Sequence, residues 1–175
     1  MRIVAGRWRG RRIKPPADAR VRPTGDKVRE AWMNIVQPHL PDARVLDLFA
    51  GSGALGLEAL SRGAASVEFV DNAPSSLKLL RENTDLLGAG AAAVITRGDA
   101  LQVAREAAAR PFDVAFADPP YRQGLATQLA TQWLAAPFAH VLGIEHESAE
   151  ELPQPADTRR YGTTAITFYR MPETT

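Results

Sequence analysis

The stretch Arg44-Val-Leu-Asp-Leu-Phe-Ala-Gly-Ser-Gly-Ala-Leu-Gly56 decides the fold of this chain. Its first residues are mostly apolar, which is typical of a strand that is covered on both faces of a sheet. Gly51 and Gly53 leave room for a ligand beside the backbone, and Gly56 allows a helix to pack closely on a strand. The stretch therefore predicts a strand, a glycine loop and a helix, as in nucleotide-binding α/β domains.

A carboxylate inside this strand narrows the class of ligand. Asp47 lies four residues before the first glycine of the loop. An anion at this position repels a pyrophosphate group, whereas it attracts a ligand that carries an amino group or another cation. The sulfonium and α-ammonium groups of S-adenosylmethionine fit that requirement. The alternative is a dinucleotide, because Gly51-x-Gly53-x-x-Gly56 is also the spacing of dinucleotide sites.

The rest of the chain alternates predicted strands and helices. The predicted helices are one that follows Thr24 and contains Trp32 in the core, then 54–62, 74–88, 100–109 and a helix around 125–133. The predicted strands beside the central one are 66–70, 92–96, 113–117, 141–145, 157–161 and 164–170, the last two forming a hairpin. This order predicts an α/β fold with a mostly parallel seven-stranded sheet and an antiparallel C-terminal edge.

Composition excludes several classes of protein. The 175 residues are enough for one domain with a full core. The chain has no cysteine, which excludes disulfides, thiol nucleophiles and zinc–thiolate sites, and its three histidines show no metal-binding spacing, so we expect no metal. It has no apolar run of the ~18 residues needed to span a bilayer, and its charged N-terminus is unlike a signal peptide. We therefore expect a cytoplasmic protein without membrane contacts, and a monomer is compatible with the sequence.

Positive charge is concentrated at the N-terminus. Residues 1–29 contain ten Lys/Arg and two Asp, whereas residues 30–175 contain eleven Lys/Arg and eighteen Asp/Glu. A basic segment on a mildly acidic body indicates a polyanionic partner. Residues 1–22 are predicted to form a basic β-hairpin arm, with two short strands around a turn at residues 6–10, and residues 23–175 the main domain.

An aromatic residue lies among these cations. Trp8, between Arg7 and Arg9, could stack on unpaired RNA bases while the guanidinium groups contact phosphates. The alternative is that Trp8 packs onto the main domain; we favour RNA contact. The candidate RNA-binding residues are Arg7, Trp8, Arg9, Arg11, Arg12, Arg22, Lys27 and Arg29.

Acidic residues follow the predicted strands at the edge where open α/β sheets bind ligands. Asp71 could accept hydrogen bonds from ribose hydroxyls, although it could instead cap the next helix, a role for which Asn72 competes. Asp99 could accept a hydrogen bond from an adenine amino group, with the Ala100 amide serving a ring nitrogen. The candidate cofactor-binding residues are Asp47, Ala50, Gly51, Gly53, Asp71, Asn72, Asp99 and Ala100.

The sequence Asp118-Pro-Pro-Tyr121 directly follows the fourth strand and carries the predicted chemistry. An exocyclic amine on a base is a poor nucleophile, because its lone pair is delocalised into the ring. The Asp118 carboxylate and the Pro119 carbonyl could accept its hydrogens and direct the lone pair towards an incoming methyl group. Tyr121 could stack on the base. Asp118, Pro119 and Tyr121 are the candidate catalytic residues.

These motifs together resemble a known family. Asp47-Leu-Phe-Ala-Gly-Ser-Gly53 with Asp118-Pro-Pro-Tyr121 is similar to amino-group methyltransferases, and residues 1–13, 22–31 and 56–64 resemble the bacterial 16S ribosomal RNA guanine-N2 methyltransferases. The resemblance implies a Rossmann-like class I methyltransferase fold, S-adenosylmethionine as methyl donor and S-adenosylhomocysteine as product. It also implies 16S rRNA within an assembled or assembling 30S subunit as partner. Glu145-His-Glu147 resembles the family's acidic end of the fifth strand, and His146 has no predicted role.

Three other functions remain open at this point. The same proline motif serves adenine-N6 methylation of DNA or RNA. The glycine spacing is compatible with an NAD-dependent oxidoreductase, although Asp47 argues against it. An RNA-binding or ribosome-assembly factor without catalysis is the third alternative.

Overall fold

A computed structural model describes residues 1–17 and 25–173 of the chain. The helices are α1 (Asp26–Val36), α2 (Ala54–Ser61), α3 (Pro74–Leu87), α4 (Ala100–Ala107) and α5 (Leu125–Ala135). The strands are β1 (Arg44–Leu48), β2 (Ser66–Asp71), β3 (Ala93–Arg97), β4 (Phe112–Ala117), β5 (Ala139–Glu147), β6 (Asp157–Tyr161) and β7 (Thr164–Arg170). These elements confirm the predicted order, and most differ from it by one or two residues at their ends.

The seven strands form one sheet in the order β3-β2-β1-β4-β5-β7-β6. Strands β1 to β5 are parallel to one another, while β7 is antiparallel to both β5 and β6. The predicted parallel sheet with an antiparallel C-terminal edge is therefore confirmed. Because β1 and β4 are adjacent and the chain leaves β1 in one direction and β4 in the other, a crevice opens beyond their carboxyl ends.

Alternate residues of β1 point to opposite sides of the sheet. Val45 packs in a core with α1, α2 and α3, whereas Leu46 and Leu48 pack in a second core with α4 and α5. Trp32 of α1 is fully buried and meets Phe116 edge-to-face, with 5.5 Å between ring centroids, as expected for a core residue. The central strand is thus covered on both faces, which explains its apolar sequence.

The N-terminal hairpin (residues 1–13) packs against the first of these cores. Ile3, Trp8 and Ile13 are buried in the same cluster as the side chains of α1 and α2. Its two sides join through an isolated bridge between Arg2 and Arg12 rather than through the two regular strands that the sequence predicted. The hairpin therefore shares a core with the main domain, and the predicted boundary at residue 22 lies outside the described residues.

The start of α1 lies close to the cap that the sequence predicted for it. The predicted cap, Thr24, also lies outside the described residues, and the helix begins at Asp26 after Gly25.

In the described part of the chain, no helix combines the length and apolar character that a bilayer-spanning segment requires.

Candidate active site

The end of β1 brings Asp47 to the centre of the sheet. Its side chain is 1% exposed, and its Oδ2 accepts a hydrogen bond from the backbone N–H of Gly56, with an N–O distance of 3.0 Å. Burial raises the pKa of Asp47 well above its ordinary value, and the Asp118 and Asp71 charges raise this pKa further, while the Gly56 N–H opposes the rise. A cationic ligand next to Asp47 would relieve this unfavourable burial of charge.

The glycine loop between β1 and α2 leaves space for a ligand beside Gly51 but not beside Gly53, where the sequence also predicted it. Gly51 and Gly53 have φ angles of +56° and +83°, which side chains disfavour. A Cβ at Gly51 would meet no atom within 4 Å, so open space lies beside this backbone, whereas a Cβ at Gly53 would lie 2.9 Å from Leu80 Cδ2. Ala50 is buried, and its N–H donates to the carbonyl of Val70 at 3.0 Å.

Gly56 has a packing role, as the sequence predicted. A Cβ at this position would clash with the ring of Phe69 and lie 2.8 Å from Val67 Cγ1. The absence of a side chain lets α2 lie directly on β2. This close approach also lets the Gly56 N–H reach Asp47.

Asp71, at the end of β2, holds the glycine loop in place. Its Oδ2 accepts a hydrogen bond from Gly51 N–H and its Oδ1 accepts one from Ala73 N–H, both at 3.0 Å. An ionised carboxylate has about four acceptor positions, so the two oxygens retain capacity for ribose hydroxyls. Asn72 is exposed beside it. The carboxylate therefore organises the loop and the start of α3 together.

Asp99 is at the equivalent position after β3. It is exposed and caps α4, accepting a hydrogen bond from Gln102 N–H at 3.3 Å. Ala100, the first residue of α4, is buried. Asp99 thus has a capping role in the structure, and the adenine contact stays a prediction.

The proline loop (residues 118–121) lies at the same edge of the sheet as the glycine loop. Ala117, the last residue of β4, pairs with Leu48 of β1 on one side and with Ile144 of β5 on the other. Asp118 therefore begins the loop directly beside the end of β1, and its charge acts on Asp47. Asp118 is half-buried and Pro119 is buried. The two motifs that the sequence singled out meet at the crevice.

Side chains of the last strands anchor the proline loop. The hydroxyl of Tyr121 lies 3.3 Å from Thr164 Oγ1 at the start of β7. Arg122, whose side chain is 84% exposed, forms an ion pair with Glu147 at 3.0 Å. The antiparallel edge of the sheet thus supports the loop from the side opposite the glycine loop.

His146, near the end of β5, has a structural role. It is buried, its Nδ1 lies 2.8 Å from the carbonyl oxygen of Glu147, and its Nε2 lies 2.7 Å from Thr167 Oγ1. Because a carbonyl can only accept, Nδ1 carries the proton and Nε2 accepts from Thr167 in the neutral ring. Burial lowers the pKa of His146, which favours this neutral form. His146 therefore joins β5 to β7, while the neighbouring Glu145 is buried beside the crevice.

The structure corrects the expected positions of two candidate RNA-binding residues. Trp8 is 8% exposed, and the Arg7 guanidinium lies 4.2 Å from the centre of its ring, so the indole offers no open stacking surface. Arg29 is 1% exposed and pairs with Asp26 at 3.2 Å and Glu58 at 3.9 Å. Both residues stabilise the attachment of the hairpin and α1 to the core.

The other candidate cations have different positions. Those that are exposed in the described residues are Arg7, Arg9, Arg11, Arg12 and Lys27. Arg11 donates to the carbonyl of Leu86 at 2.8 Å, so it also ties the hairpin to α3. Arg22 lies outside the described residues.

Two buried polar residues that the sequence analysis did not single out attach the hairpin. Glu58 of α2 is fully buried; its carboxylate accepts from Val4 N–H at 2.8 Å and Ala5 N–H at 3.1 Å and pairs with Arg62 at 3.0 Å. Asn83 of α3 bonds to Lys14 and to the glycine loop. A sequence signal existed for both, since each lies on a helix face that it shares mainly with apolar residues.

Within residues 1–17 and 25–173, no group of three or more His, Asp or Glu side chains is arranged to hold a metal ion. The acidic residues at the crevice come from separate strands, and Asp47 and Asp71 accept hydrogen bonds from backbone N–H groups.

The sheet order and the paired glycine and proline loops define the class of this protein, which is that of the Rossmann-like methyltransferases. A solved structure of a hypothetical protein from Thermus thermophilus has the same fold, with a TM-score of 0.85, 34% identity and coverage of 98% of this chain and 99% of that one. Within the class, the chain belongs to the family described as conserved hypothetical protein 95, which matches residues 1–170.

Two curated relatives carry a more specific name. Ribosomal RNA small subunit methyltransferase D of Escherichia coli strain K12 is 42% identical over 125 residues, which cover 71% of this chain and 62% of that protein. The chain thus spans less than two thirds of that relative in this match. The protein of the same name from Haemophilus influenzae is 33% identical over 178 residues, covering 98% of this chain and 92% of that protein. The family resemblance predicted from the motifs is confirmed.

Proposed function

We propose that this protein uses S-adenosylmethionine to methylate the exocyclic N2 amine of a guanine in 16S rRNA of the small ribosomal subunit. The observation that carries the proposal is the meeting of the glycine loop and the proline loop on the adjacent strands β1 and β4. The names of the relatives point to small-subunit rRNA as the substrate. The guanine N2 position rests on the family resemblance of the motifs.

The residues around the glycine loop fit the methyl donor. Burial disfavours the charged form of Asp47, and binding of a cationic group beside it would favour ionisation of this carboxyl. The open space beside Gly51 admits a bulky ligand. Asp71 has the remaining acceptor capacity for ribose hydroxyls, and Asp99 with the Ala100 amide would contact adenine. When bound, S-adenosylmethionine supplies an electrophilic methyl group.

The proline loop would position the acceptor amine. Asp118 and the Pro119 carbonyl accept the two amine hydrogens, which turns the nitrogen lone pair out of conjugation with the ring. Holding the two reacting groups in line can lower the barrier by about 7–11 kcal/mol, because orientational freedom is lost before the reaction. Asp118 would then accept the proton that the amine releases. Tyr121 would pack against the base.

The exposed cations of the hairpin and of α1 would contact rRNA phosphates. The substrate guanine must leave its stack to reach the crevice, and a guanine in a loop requires less unstacking energy than one in a helix. Because phosphate contacts dominate such binding, we expect affinity for the RNA to fall steeply with salt. Small ribosomal subunits, and hence the cytoplasm, are the expected place of action.

A methylation assay on natural substrate tests the proposal. Small subunits from cells that lack the enzyme are incubated with it and S-adenosylmethionine, and the 16S rRNA is digested to nucleosides. We expect N2-methylguanosine as the product. N6-methyladenosine would favour the adenine-N6 alternative, which the proline motif also allows. Absence of any methylated nucleoside, with intact binding to subunits, would favour a non-catalytic assembly factor.

Calorimetry tests the remaining alternative, an NAD-dependent oxidoreductase. We expect S-adenosylhomocysteine to bind and NAD not to bind, because a buried carboxylate at Asp47 repels a pyrophosphate. Binding of NAD alone would instead support an oxidoreductase.

A further inference from the structure

Asn83 is a buried amide in the third turn of α3. Its side chain is fully inaccessible to solvent. Asparagine is a poor helix former in a helix interior, because its side chain competes for backbone hydrogen bonds. In this helix the side chain instead points away from its own backbone and bonds to two distant segments. A tertiary role therefore explains why this residue stands where a better helix former would be expected.

The amide of Asn83 connects the hairpin to the glycine loop. Its Nδ2 donates to the carbonyl of Ser52 at 2.9 Å and to the carbonyl of Lys14 at 3.0 Å, and its Oδ1 accepts from Lys14 N–H at 2.8 Å. Ser52 stands between Gly51 and Gly53, and Lys14 directly follows the basic hairpin. One side chain thus fixes the two segments with respect to each other.

The other end of the hairpin reaches the same loop residue. Met1 Sδ lies 3.9 Å from Ser52 Oγ, and Ile13 N–H donates to the Met1 carbonyl at 3.0 Å. Met1, the first residue of the hairpin, therefore contacts Ser52 directly. Lys14, which follows the hairpin, is joined to Ser52 through Asn83. A shift of Ser52 would therefore disturb contacts at the base of the hairpin.

We propose that Asn83 is a positioning residue that couples RNA binding at the hairpin to cofactor binding at the glycine loop. The inference rests on the proposed function. When RNA phosphates hold the hairpin, the Lys14 backbone is fixed and so is the Asn83 amide that holds the Ser52 carbonyl. The loop is then ordered for its ligand, and by linkage an occupied loop strengthens RNA binding by the same factor.

The test measures this coupling factor in the wild type and in the variant Asn83→Asp. The Kd for small subunits from cells lacking the enzyme is measured by co-sedimentation, with and without saturating S-adenosylhomocysteine. For the wild type we expect binding to be about fivefold or more tighter with S-adenosylhomocysteine. Asn83→Asp keeps the acceptor for Lys14 N–H but loses the donor to the carbonyls of both Ser52 and Lys14. We expect its ratio of Kd values to fall towards one, and its KM for S-adenosylmethionine to rise more than its kcat falls.

Thr84→Ala is the matched control on the same helix. Thr84 is buried like Asn83, but its hydroxyl donates only to carbonyls of its own helix, those of Leu80 and Arg81. We expect this variant to keep the wild-type ratio even where its Tm falls. A wild-type ratio near one, an unchanged ratio in Asn83→Asp or an equal loss in Thr84→Ala would overturn the coupling. Methylation without coupling would leave the proposed function standing, whereas no methylation of subunits would remove that function itself.

Discussion

The two sides of the crevice are held by different kinds of contact. On the glycine-loop side, carboxylates accept hydrogen bonds from backbone N–H groups, as Asp47 does from Gly56 and Asp71 from Gly51. On the proline-loop side, the contacts join side chains, as between Tyr121 and Thr164, and one of them is an exposed ion pair. Backbone N–H groups thus hold the carboxylates of the first side, whereas Tyr121 and Arg122 on the second side bond to other side chains, and the exposed ion pair is weakened by water and salt.

This difference matches the ligands proposed for the two sides. A small cofactor of constant shape gains affinity from a site that is already formed. An RNA loop has to be opened and fitted, so the side-chain contacts around the proline loop can adjust to it, while Pro119 and Pro120 restrict the backbone that positions the amine. Variants on the two sides should therefore separate cofactor affinity from RNA turnover.

Replacing the carboxylate of the proline loop should produce the largest effect. We expect Asp118→Ala to lower kcat at least about 10²–10⁴-fold, because the acceptor that orients the amine and takes its proton is lost. Affinity for S-adenosylhomocysteine, measured by calorimetry, should persist.

Asp118→Asn is the matched variant, since it keeps an acceptor but cannot take a proton. If Asp118→Asn retains activity and Asp118→Ala does not, the role of Asp118 is only to orient the acceptor amine. Wild-type activity in Asp118→Ala would remove the mechanism, and loss of cofactor binding would contradict the separation of the two sides.

Asp47→Asn should weaken cofactor binding while it stabilises the unliganded protein. Loss of a charge-assisted contact lowers affinity by about 10- to 100-fold. The raised pKa of Asp47 means that folding favours its protonated form, so its contribution to stability is lost as pH rises from the ordinary value of 3.8 through the folded pKa. Thermal melts should therefore show a Tm advantage of the variant that grows with pH over this range and then levels off. A lower Tm than wild type at neutral pH would contradict this account.

Exposed and buried arginines near the hairpin should behave in opposite ways. Arg12→Gln should weaken binding to small subunits by several-fold and reduce the slope of log K against log[salt] by about 0.7–0.9, with Tm unchanged. Arg29→Gln should lower Tm by at least about 5 °C, because it removes a partner from a buried pair with Glu58. Binding isotherms at several salt concentrations, with melts of both variants, distinguish these effects. A change of Tm in Arg12→Gln would indicate that this residue is structural.

The smallest effect should come from the anchor of the proline loop. Tyr121→Phe keeps the ring but loses the contact with Thr164, which corresponds to about 0.5–1.5 kcal/mol for a typical hydrogen bond. We expect KM for small subunits to rise about two- to tenfold, while KM for S-adenosylmethionine stays constant. Arg122→Ala, which removes only an exposed ion pair, is the comparison and should change less. A larger rise for Arg122→Ala would show that charge, and not the hydroxyl contact, holds the loop.

The strand, turn and helix of the glycine-loop side were predicted from the sequence, because their signals are local. Glycine spacing and a buried apolar run define the turn, and Gly56 had the close packing that was expected. The proline loop was also located correctly, since strand order alone places the end of β4 beside the end of β1. Local sequence patterns were thus sufficient to predict where the backbone of the two loops lies.

Burial of polar and aromatic side chains could not be predicted in the same way. Lys27 and Arg29 are two residues apart on α1, yet the first is exposed and the second is buried. Helical spacing puts Arg29 on the buried face of α1 with Trp32 and Val36. What the local pattern does not contain is the partner that compensates its charge there, Glu58, which is far away in the sequence. Trp8 is a similar case, because its burial depends on a hairpin whose docking surface is made by α2. His146 also finds its partner on another strand.

Glu58 has a practical consequence for experiments on this protein. Truncation of the N-terminus is the obvious way to ask whether the hairpin recruits RNA. The carboxylate of Glu58, however, accepts backbone hydrogen bonds from Val4 and Ala5, and a shortened chain would leave those acceptors uncapped in an opened core. Such a protein would be expected to misfold, so its failure to bind ribosomes would say nothing about recognition; point changes of exposed side chains are the informative route.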